Sequence, residues 1–236
     1  METTYIEIDS PDKHLSDVLE EIPSNVILYK TLTGIGATYS EIKAQRHSII
    51  IEPNVPVIIG KCNSAKHKND NLLGVYEGVT TDRIIKYLGA SRGKYYKILT
   101  TPESFTKVKD AFLIFNGKIY NTCFLLIDEA HKTIKDVDYR SDIVLPMNDF
   151  FKFKGKALVS ATPLKFSDPR FEENGFSIIK IEPTYDYAKE IDIKPSTNIL
   201  REVWEEFGWM PFITGQDKDR PFFIFINSVD IIYSII

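Results

Sequence analysis

The sequence predicts an α/β fold built on a doubly wound, mostly parallel sheet. Short apolar runs alternate along the chain with segments whose apolar residues have helical spacing. Several of the short runs are apolar throughout, which is typical of strands that are covered on both faces. Such an alternation of strand and helix indicates a parallel sheet with helices on both sides.

Composition limits the class of protein. The 236 residues suit one full domain, or one domain plus a piece of another, and 43% hydrophobic with 26% charged residues is typical of a globular chain. The net charge of -4 gives no overall basic field for nucleic acid, although a local basic strip stays open. Cys62 and Cys123 are too few for a disulfide framework and lack zinc-site spacing, so we expect a reducing, cytoplasmic setting.

Neither end of the sequence predicts an association with a membrane. Residues 1–4 lack the basic and apolar regions of a secretory signal. The most apolar segment, 221–236, contains polar residues and is too short to span a bilayer. If no partner domain covers residues 222–236, we expect them to be a surface for self-association.

The elements follow in chain order. Residues 1–24 are interpreted as an N-terminal extension with one helix, capped by Ser10 and carrying Leu15, Val18 and Leu19. Strands are predicted at 25–30, 48–53, 72–76, 96–101, 124–127, 156–159 and 176–181. Further helices are predicted after the turn at 31–38, from Thr80 to Leu88, and from Pro102 to Phe115. The polar segment 61–71 reads as an exposed loop, and the looser region at 184–195 as a domain boundary.

The turn after the first of these strands is the first candidate site. Glycines at 34 and 36 let successive backbone N–H groups point inward around an anion, and the start of the next helix adds partial positive charge. Thr38 supplies a hydroxyl where the Walker A motif needs one for Mg²⁺, but Ala37 stands in place of the lysine of that motif. The alternative is an ordinary glycine turn ahead of a helix.

The second candidate site follows the apolar run 124–127, which leads directly into Asp128, Glu129, Ala130 and His131. Carboxylates at the carboxyl end of a buried strand lie where open α/β sheets bind ligands. Asp128 is placed to hold a hydrated Mg²⁺ on a nucleotide, and Glu129 to orient or deprotonate an attacking water. The alternative is that both carboxylates merely end a strand.

The order of these motifs resembles the first RecA-like domain of a superfamily-two DEAD/DEAH-box helicase, a fold of the P-loop NTPase type. In sequence order, the matching segments are 31–38 as a degenerate Walker A motif, 51–54 as motif Ia, 99–103 as motif Ib, 128–131 as motif II, 160–162 as motif III and 225–228 as the opening of motif IV. The resemblance covers nearly all of the chain from Val26 onward. It implies a RecA-like ATP-binding domain at 25–184, followed by a linker and an incomplete second RecA-like domain at 185–236.

The resemblance also implies ATP and Mg²⁺ as cofactors and assigns residues to them. The nucleotide would be bound by Thr33, Gly34, Ile35, Gly36, Ala37 and Thr38. Asp128 and Thr38 would hold Mg²⁺, and Glu129 would act on the lytic water. His131 would bridge to Ser160 or Thr162, so that the segment Ser160, Ala161 and Thr162 couples nucleotide state to domain motion.

Nucleic acid, DNA or RNA, is the partner that the resemblance implies. The strand would pass near Pro53, Asn54, Thr101 and Pro102. Backbone N–H groups and small hydroxyls at such positions usually contact phosphates.

Two departures from the family pattern lower the expected activity. Loss of the lysine contact at Ala37 removes about 1.5–3 kcal/mol of binding, or about ten- to a hundredfold in affinity. Lys30 and Lys43 are the nearby lysines that could replace that charge. The arginine finger of the second domain is worth on the order of 10³–10⁵ in rate, so we expect this chain alone to be nearly inactive.

Three functions remain open on the sequence. The first is the ATP-binding half of a DEAH-type, nucleic-acid-dependent ATPase. The second is a module that binds nucleotide or nucleic acid without hydrolysis, which Ala37 favours. The third is a degenerate domain that is kept for contacts with other proteins. Thr38, Asp128, Glu129 and His131 favour the first.

Overall fold

The computed structural model describes residues 1–32, 34–115, 117–135, 144–162 and 168–187, together with residues 195, 197 and 201. Contacts divide the chain into two units, Met1–Tyr187 and Ala188–Ile236. The motif IV segment at 225–228 and the expected self-association surface at 222–236 lie outside the described residues.

A single sheet forms the centre of the first unit. In the described residues it has eight strands: β1 Thr3–Ile8, β2 Val26–Lys30, β3 His47–Ile51, β4 Leu72–Val75, β5 Lys97–Thr100, β6 Cys123–Ile127, β7 Gly155–Ser160 and β8 Ser177–Pro183. Their order across the sheet is β1-β8-β2-β7-β6-β3-β5-β4, and every neighbouring pair is parallel. The predicted α/β class with a parallel sheet is confirmed.

Helices connect the strands and cover both faces of the sheet. In the described ranges they are α1 Leu15–Val18, α2 Ala37–Lys43, α3 Val55–Asn63, α4 Thr81–Ala90, α5 Phe105–Ile114, α6 Ile119–Thr122, α7 Ala130–Lys135, α8 Val144–Phe150 and α9 Arg170–Glu173. None of them is both long and apolar enough to cross a membrane.

Alternate residues of the same strands enter two separate apolar clusters. The first cluster, on the face covered by α4 and α5, contains Ile27, Ile49, Leu125 and Leu158. The second cluster, on the face covered by α2 and α3, contains Leu28, Ile50, Leu126 and Val159. Since both faces of each central strand are buried, the sheet is doubly wound, as the continuous apolar runs predicted.

The register of the central strands brings their carboxyl ends to one edge of the sheet. Strand β7 lies between β2 and β6, with Tyr29 opposite Ser160 and Ile127 opposite Leu158. The residues that follow β2, β6 and β7 therefore leave the sheet side by side. Ligands of open α/β sheets bind at this kind of edge.

The N-terminal residues differ from the prediction. Residues 3–8 form β1, a strand that pairs with β8 at the border of the sheet. The helix that was expected to begin at Ser10 and Pro11 begins at Leu15, and residues 10–12 form a turn. The side chain of Asp17 accepts a hydrogen bond of 2.8 Å from the backbone N–H of His14, which caps the helix at this later point.

The segment 61–71 is not the exposed loop that its polarity predicted. Helix α3 continues to Asn63, and a 3₁₀ turn follows at Ala65–His67. The His67 side chain is buried, with Nδ1 2.8 Å from an Asp70 carboxylate oxygen. Apolar residues one helical turn apart, Ile58 and Cys62, pack on the second cluster and explain why the helix continues.

Helix α5 also begins later than the sequence predicted. It starts at Phe105, after Ser104, whereas Pro102 was the expected first residue. The expected buried stripe is present, because Phe105, Val108 and Phe112 all enter the first cluster.

Candidate functional site

A cavity of about 470 Å³ opens at the carboxyl edge of the sheet. It is lined by the turn after β2 (Gly34, Gly36, Ala37, Thr38 and Tyr39), by the acidic pair Asp128 and Glu129, and by Lys30, Glu52, Asn54, Val57, Lys61 and Lys132. Its volume lies within the range of about 300–1,000 Å³ that is usual for small-molecule sites. The structure thus brings the two candidate sites of the sequence to one cavity.

The glycine turn is held open by its backbone conformation. Gly34 has φ 81° and Gly36 has φ 87°, both in the left-handed region that favours glycine. Between them the side chain of Ile35 is buried in the second cluster, and its carbonyl accepts a hydrogen bond of 2.8 Å from the N–H of Leu15. The turn is therefore anchored to the core and to α1. Thr33, the first expected nucleotide-binding residue, lies outside the described residues.

The alternation of side chains along the strands explains why polar groups meet here. Residues two apart in a strand share a face. Lys30 therefore follows Leu28, and Asp128 follows Leu126, on the face that carries the second cluster. Helix α2 covers that face, and its second residue is Thr38. The ammonium, the carboxylate and the hydroxyl thus converge above the end of the same apolar layer.

Asp128 is the centre of this convergence. Its side chain is buried, with 4% of the residue exposed. The Thr38 hydroxyl donates a hydrogen bond to carboxylate oxygen Oδ2, and the Lys30 ammonium lies 3.1 Å from Oδ1. Burial alone would raise the pKa of Asp128, but the charge of Lys30 and the hydrogen bond from Thr38 outweigh it and lower that pKa. Asp128 is therefore ionised at neutral pH.

Lys30 also pairs with Glu129, at 2.7 Å from Oε1. Burial opposes the charge on Lys30, but Asp128 and Glu129 more than compensate, so its pKa is raised. Glu129 has φ 49°, an uncommon conformation for a residue with a side chain. Glu129 is the second residue after the end of β6, and its backbone N–H donates to Asp128 Oδ1 at 2.9 Å.

A chain of polar contacts joins the acidic pair to the end of β7. His131 Nδ1 lies 3.4 Å from Glu129 Oε2 and 3.2 Å from Ser160 Oγ. Ser160 in turn donates to the carbonyl of Thr162 at 2.7 Å and accepts from the N–H of Thr162 at 3.1 Å. Ala161, the middle residue of this segment, is half-buried. The bridge between His131 and Ser160 is thus present in the structure, while the coupling of nucleotide state to domain motion stays a prediction.

The four expected nucleic-acid contacts fall into two groups. Pro53 and Asn54 follow β3 and are half-buried, and Asn54 lines the same cavity as the glycine turn. Thr101 and Pro102 are buried, and Thr101 Oγ1 accepts a hydrogen bond of 3.3 Å from the N–H of Ser104. The Thr101 hydroxyl and the backbone carbonyl of Pro102, which accepts from the N–H of Phe105 at 3.3 Å, therefore help to start α5. The expected contact with nucleic acid stays a prediction.

Sequence reasoning missed one carboxylate of the cavity. Glu52 directly follows β3, is 2% exposed and lies 3.3 Å from the ammonium of Lys61. Burial and the negative charge of Asp128 raise the pKa of Glu52, and Lys61 offsets only part of this shift. The signal was the alternation of side chains between the two faces of the strand 48–51, because Glu52 lies two residues after Ile50 and so shares its face.

The donor set at Asp128 fits magnesium. Carboxylate and hydroxyl oxygens are hard ligands, and Mg²⁺ in nucleotide sites is usually held by one or two such groups together with phosphates and water. Asp128 Oδ2 and the hydroxyl of Thr38 are already in contact. Among the residues that the structure describes, no cluster of three or more His, Cys, Asp or Glu side chains could hold a metal ion.

Comparisons with known proteins give similarities of fold. No family model matches the chain, and no curated protein does. A hypothetical ATP-dependent RNA helicase from Sulfolobus tokodaii is similar over 66% of this chain and 48% of that one, with 17% identity and a TM-score of 0.46. A DEAD box protein from the hyperthermophile Methanococcus jannaschii is similar over 66% and 45%, with 21% identity and a TM-score of 0.43.

A third solved structure, the Hef helicase domain from Pyrococcus furiosus, is similar over 78% of this chain and 42% of that one, with 14% identity and a TM-score of 0.48. The chain spans less than half the length of each of these three structures. In this chain the glycine turn follows β2 and the acidic pair follows β6, in a sheet whose neighbouring strands are all parallel. The predicted α/β class with a doubly wound parallel sheet is thus confirmed.

Proposed function

We propose that Met1–Tyr187 binds a magnesium nucleoside triphosphate, ATP, as the ATP-binding half of a DEAH-type, nucleic-acid-dependent ATPase or helicase. One observation carries the proposal: the Thr38 hydroxyl and the Lys30 ammonium meet on the buried carboxylate of Asp128, beside a glycine turn and an open cavity. A hydroxyl, a carboxylate and a lysine beside a glycine turn are the groups that P-loop sites use for Mg²⁺ and phosphate.

Each residue has a defined task in this proposal. Asp128 and Thr38 hold the ion, which would neutralise charge on the phosphates when bound. Glu129, whose side chain is 22% exposed, is next to Asp128 and is the group that orients or deprotonates the attacking water. The turn at Gly34–Thr38 carries the phosphates.

We propose that hydrolysis by this chain alone is slow. Ala37 is buried and presents a methyl group where a lysine would offset charge in the transition state. An arginine finger would have to come from a second RecA-like domain, and it contributes on the order of 10³–10⁵ in rate. Activity should therefore rise when such a domain and nucleic acid are supplied.

Nucleic acid as the partner is supported by the motif order in the sequence. Asn54 follows β3 and opens onto the cavity, so a strand bound there would lie close to the nucleotide. Both cysteines are free thiols, which supports a reducing, cytoplasmic setting.

A second candidate function is a module that binds nucleotide without hydrolysing it. The uncharged, buried Ala37 favours it, since binding tolerates a missing charge better than catalysis does. The two candidates differ in the role of Glu129. In the module, turnover would be absent in the wild type and in Glu129→Gln alike, even with a second domain present.

Calorimetry with Mg-ATP tests the proposed binding site. We expect weak but saturable binding by the wild type, and a loss of about tenfold or more in Asp128→Asn or Thr38→Ala. Asp70→Asn is the matched control, because Asp70 pairs with Lys43 outside the cavity. Absence of heat and of thermal stabilisation for the wild type at millimolar Mg-ATP would refute the proposal.

A further inference from the structure

We propose that Lys30, the last residue of β2, supplies the positive charge that holds the triphosphate in place of the lysine missing at position 37. The inference rests on the proposed function and moves the phosphate-binding lysine from the helix that follows the turn to the strand that precedes it. Lys30 is 7% exposed, yet it lines the same cavity as Gly34, Gly36 and Thr38.

The position of Lys30 in the sheet lets its side chain reach the acidic pair. β2 and β6 are separated by β7, so their backbones lie about 9–10 Å apart at a spacing of about 4.8 Å per strand. The lysine chain crosses β7 at its carboxyl end, and the ammonium lies 2.7 Å from Glu129 and 3.1 Å from Asp128. A charge at this point is next to the turn, where phosphates would be.

The other lysines near the turn are less suited to this task. Lys61 lines the cavity but is paired with Glu52 at 3.3 Å, and Lys132 is exposed on α7. Lys43 lies on α2, is 40% exposed and pairs with Asp70 at 2.7 Å, outside the cavity lining. Among the lysines that line the cavity in the described residues, Lys30 is the most buried.

The balance of charges at the acidic pair explains why the Lys30 ammonium would bind phosphate when Mg²⁺ is present. Its ammonium shares one contact with each of two carboxylates, so the pair keeps a net negative charge. A cation that binds the Asp128 carboxylate competes with the Lys30 ammonium for that carboxylate. The flexible four-carbon stem of lysine then lets the ammonium move to another anion while it stays close to Glu129.

The competing interpretation is that Lys30 only neutralises the acidic pair and keeps cations out of it. The two interpretations predict opposite effects. If Lys30 binds phosphate, its removal weakens the binding of Mg-ATP. If Lys30 only blocks the pair, its removal leaves Mg-ATP binding unchanged or makes it tighter, and raises the affinity for Mg²⁺ alone.

Calorimetry with Mg-ATP and with magnesium tripolyphosphate, which lacks the base and the sugar, provides the test. Lys30→Met should weaken both by about ten- to a hundredfold. The matched control Lys43→Met should stay within about twofold, since exposed pairs contribute little. Lys30→Met combined with Ala37→Lys should recover part of the lost affinity, because it returns a cation to the turn.

A further pair of variants covers the case in which Lys30→Met fails to fold with two uncompensated carboxylates. Glu129→Gln and Lys30→Met/Glu129→Gln differ only in the lysine, and the second variant removes a cation together with an anion. The double variant should bind Mg-ATP about tenfold or more weakly than Glu129→Gln. Equal affinities would overturn the assignment of Lys30.

The measurement on the wild type distinguishes failure of the proposed function from failure of the role of Lys30. If the wild type does not bind Mg-ATP, the proposed function fails, and the role of Lys30 fails with it. If the wild type binds and the lysine variants bind equally well, only the role of Lys30 is wrong. Unfolding midpoints without nucleotide verify that each variant is folded.

Discussion

His131 Nδ1 and Ser160 Oγ lie 3.2 Å apart and join the first turn of α7 to the last residue of β7. His131 also lies 3.4 Å from Glu129, so a change at the acidic pair has a direct polar route to the strand end. All three side chains of this route, Glu129, His131 and Ser160, belong to the unit Met1–Tyr187.

A double-mutant cycle of His131→Ala and Ser160→Ala measures this contact. We expect a coupling energy of about 0.5–1.5 kcal/mol in the free energy of unfolding by urea, the usual worth of one hydrogen bond. A control cycle pairs His131 with Ser91, which bonds to Asn71 and Tyr87 instead. Strict additivity in the His131–Ser160 cycle would show that the contact contributes nothing to stability.

Glu41, a buried residue of α2, is the anion of a buried polar network, and its loss should destabilise the fold strongly. Arg46 holds both carboxylate oxygens, at 3.0 and 2.6 Å, and Ser48 donates to one of them at 2.6 Å. The Lys97 ammonium donates to the Glu41 carbonyl at 2.8 Å, so the region contains two cations. Glu41→Ala should reduce the free energy of unfolding by about 3–5 kcal/mol, whereas Glu21→Ala, an exposed partner of Arg46, should cost less than about 1 kcal/mol. Similar effects of both variants on urea denaturation would contradict this account.

His47 should make stability depend on pH in the acid range. Burial, and then the charge of Lys97, lower the pKa of His47 below its usual 6.5. Its Nδ1 accepts a hydrogen bond of 2.9 Å from the N–H of Tyr96, which requires an unprotonated nitrogen. The unfolded chain therefore takes up the proton at a higher pH than the folded chain.

The free energy of unfolding should consequently fall as pH drops from about 7 through 6.5 towards the lowered folded-state pKa. Denaturation curves measured between pH 7.5 and 5 give the slope of the unfolding free energy against pH. This slope should be smaller for His47→Gln than for the wild type. His14→Gln, at an exposed position, is the control and should keep the wild-type slope. Identical slopes for His47→Gln and the wild type would exclude this contribution.

Gly36 and Gly60 should respond to alanine with opposite signs. Gly36 has φ 87°, and a Cβ there would meet its neighbours at an ordinary 3.9 Å, so the cost is one of backbone conformation. Gly36→Ala should destabilise by about 1–2 kcal/mol. Gly60 lies inside α3 with open space around it, so Gly60→Ala should stabilise by about 0.5–1 kcal/mol. Thermal unfolding of both variants measures these signs, and a stabilised Gly36→Ala would disprove the left-handed turn.

Sequence reasoning identified the strands whose buried positions coincide with a short run of apolar residues. β6 is buried at every position, and its apolar letters alone are enough to identify it. β1 was missed because only Ile8 of its six residues is buried. Its stability comes from pairing with β8, whose paired residues lie 175 positions further along the chain (Thr3 opposite Ile178), and such long-range pairing leaves no local signal.

The candidate site was predictable in part for the same reason. Thr38 and Asp128 each follow a recognisable strand, and a parallel sheet brings such positions to one edge. Lys30 could not be placed, because its partners depend on β7 lying between β2 and β6. The strand order across the sheet is set by the whole fold and is not written in the residues around position 30.

The first eight residues, which were interpreted from the sequence as part of an N-terminal extension, affect how this protein can be shortened for expression. β1 covers the outer side of β8, so a shortened form that begins near Val26 would leave without partners those N–H and C=O groups of β8 that face β1. An exposed edge strand with unpaired backbone groups can pair with strands of other molecules. Removing the N-terminal residues to obtain a shorter domain should therefore yield a protein that aggregates more readily.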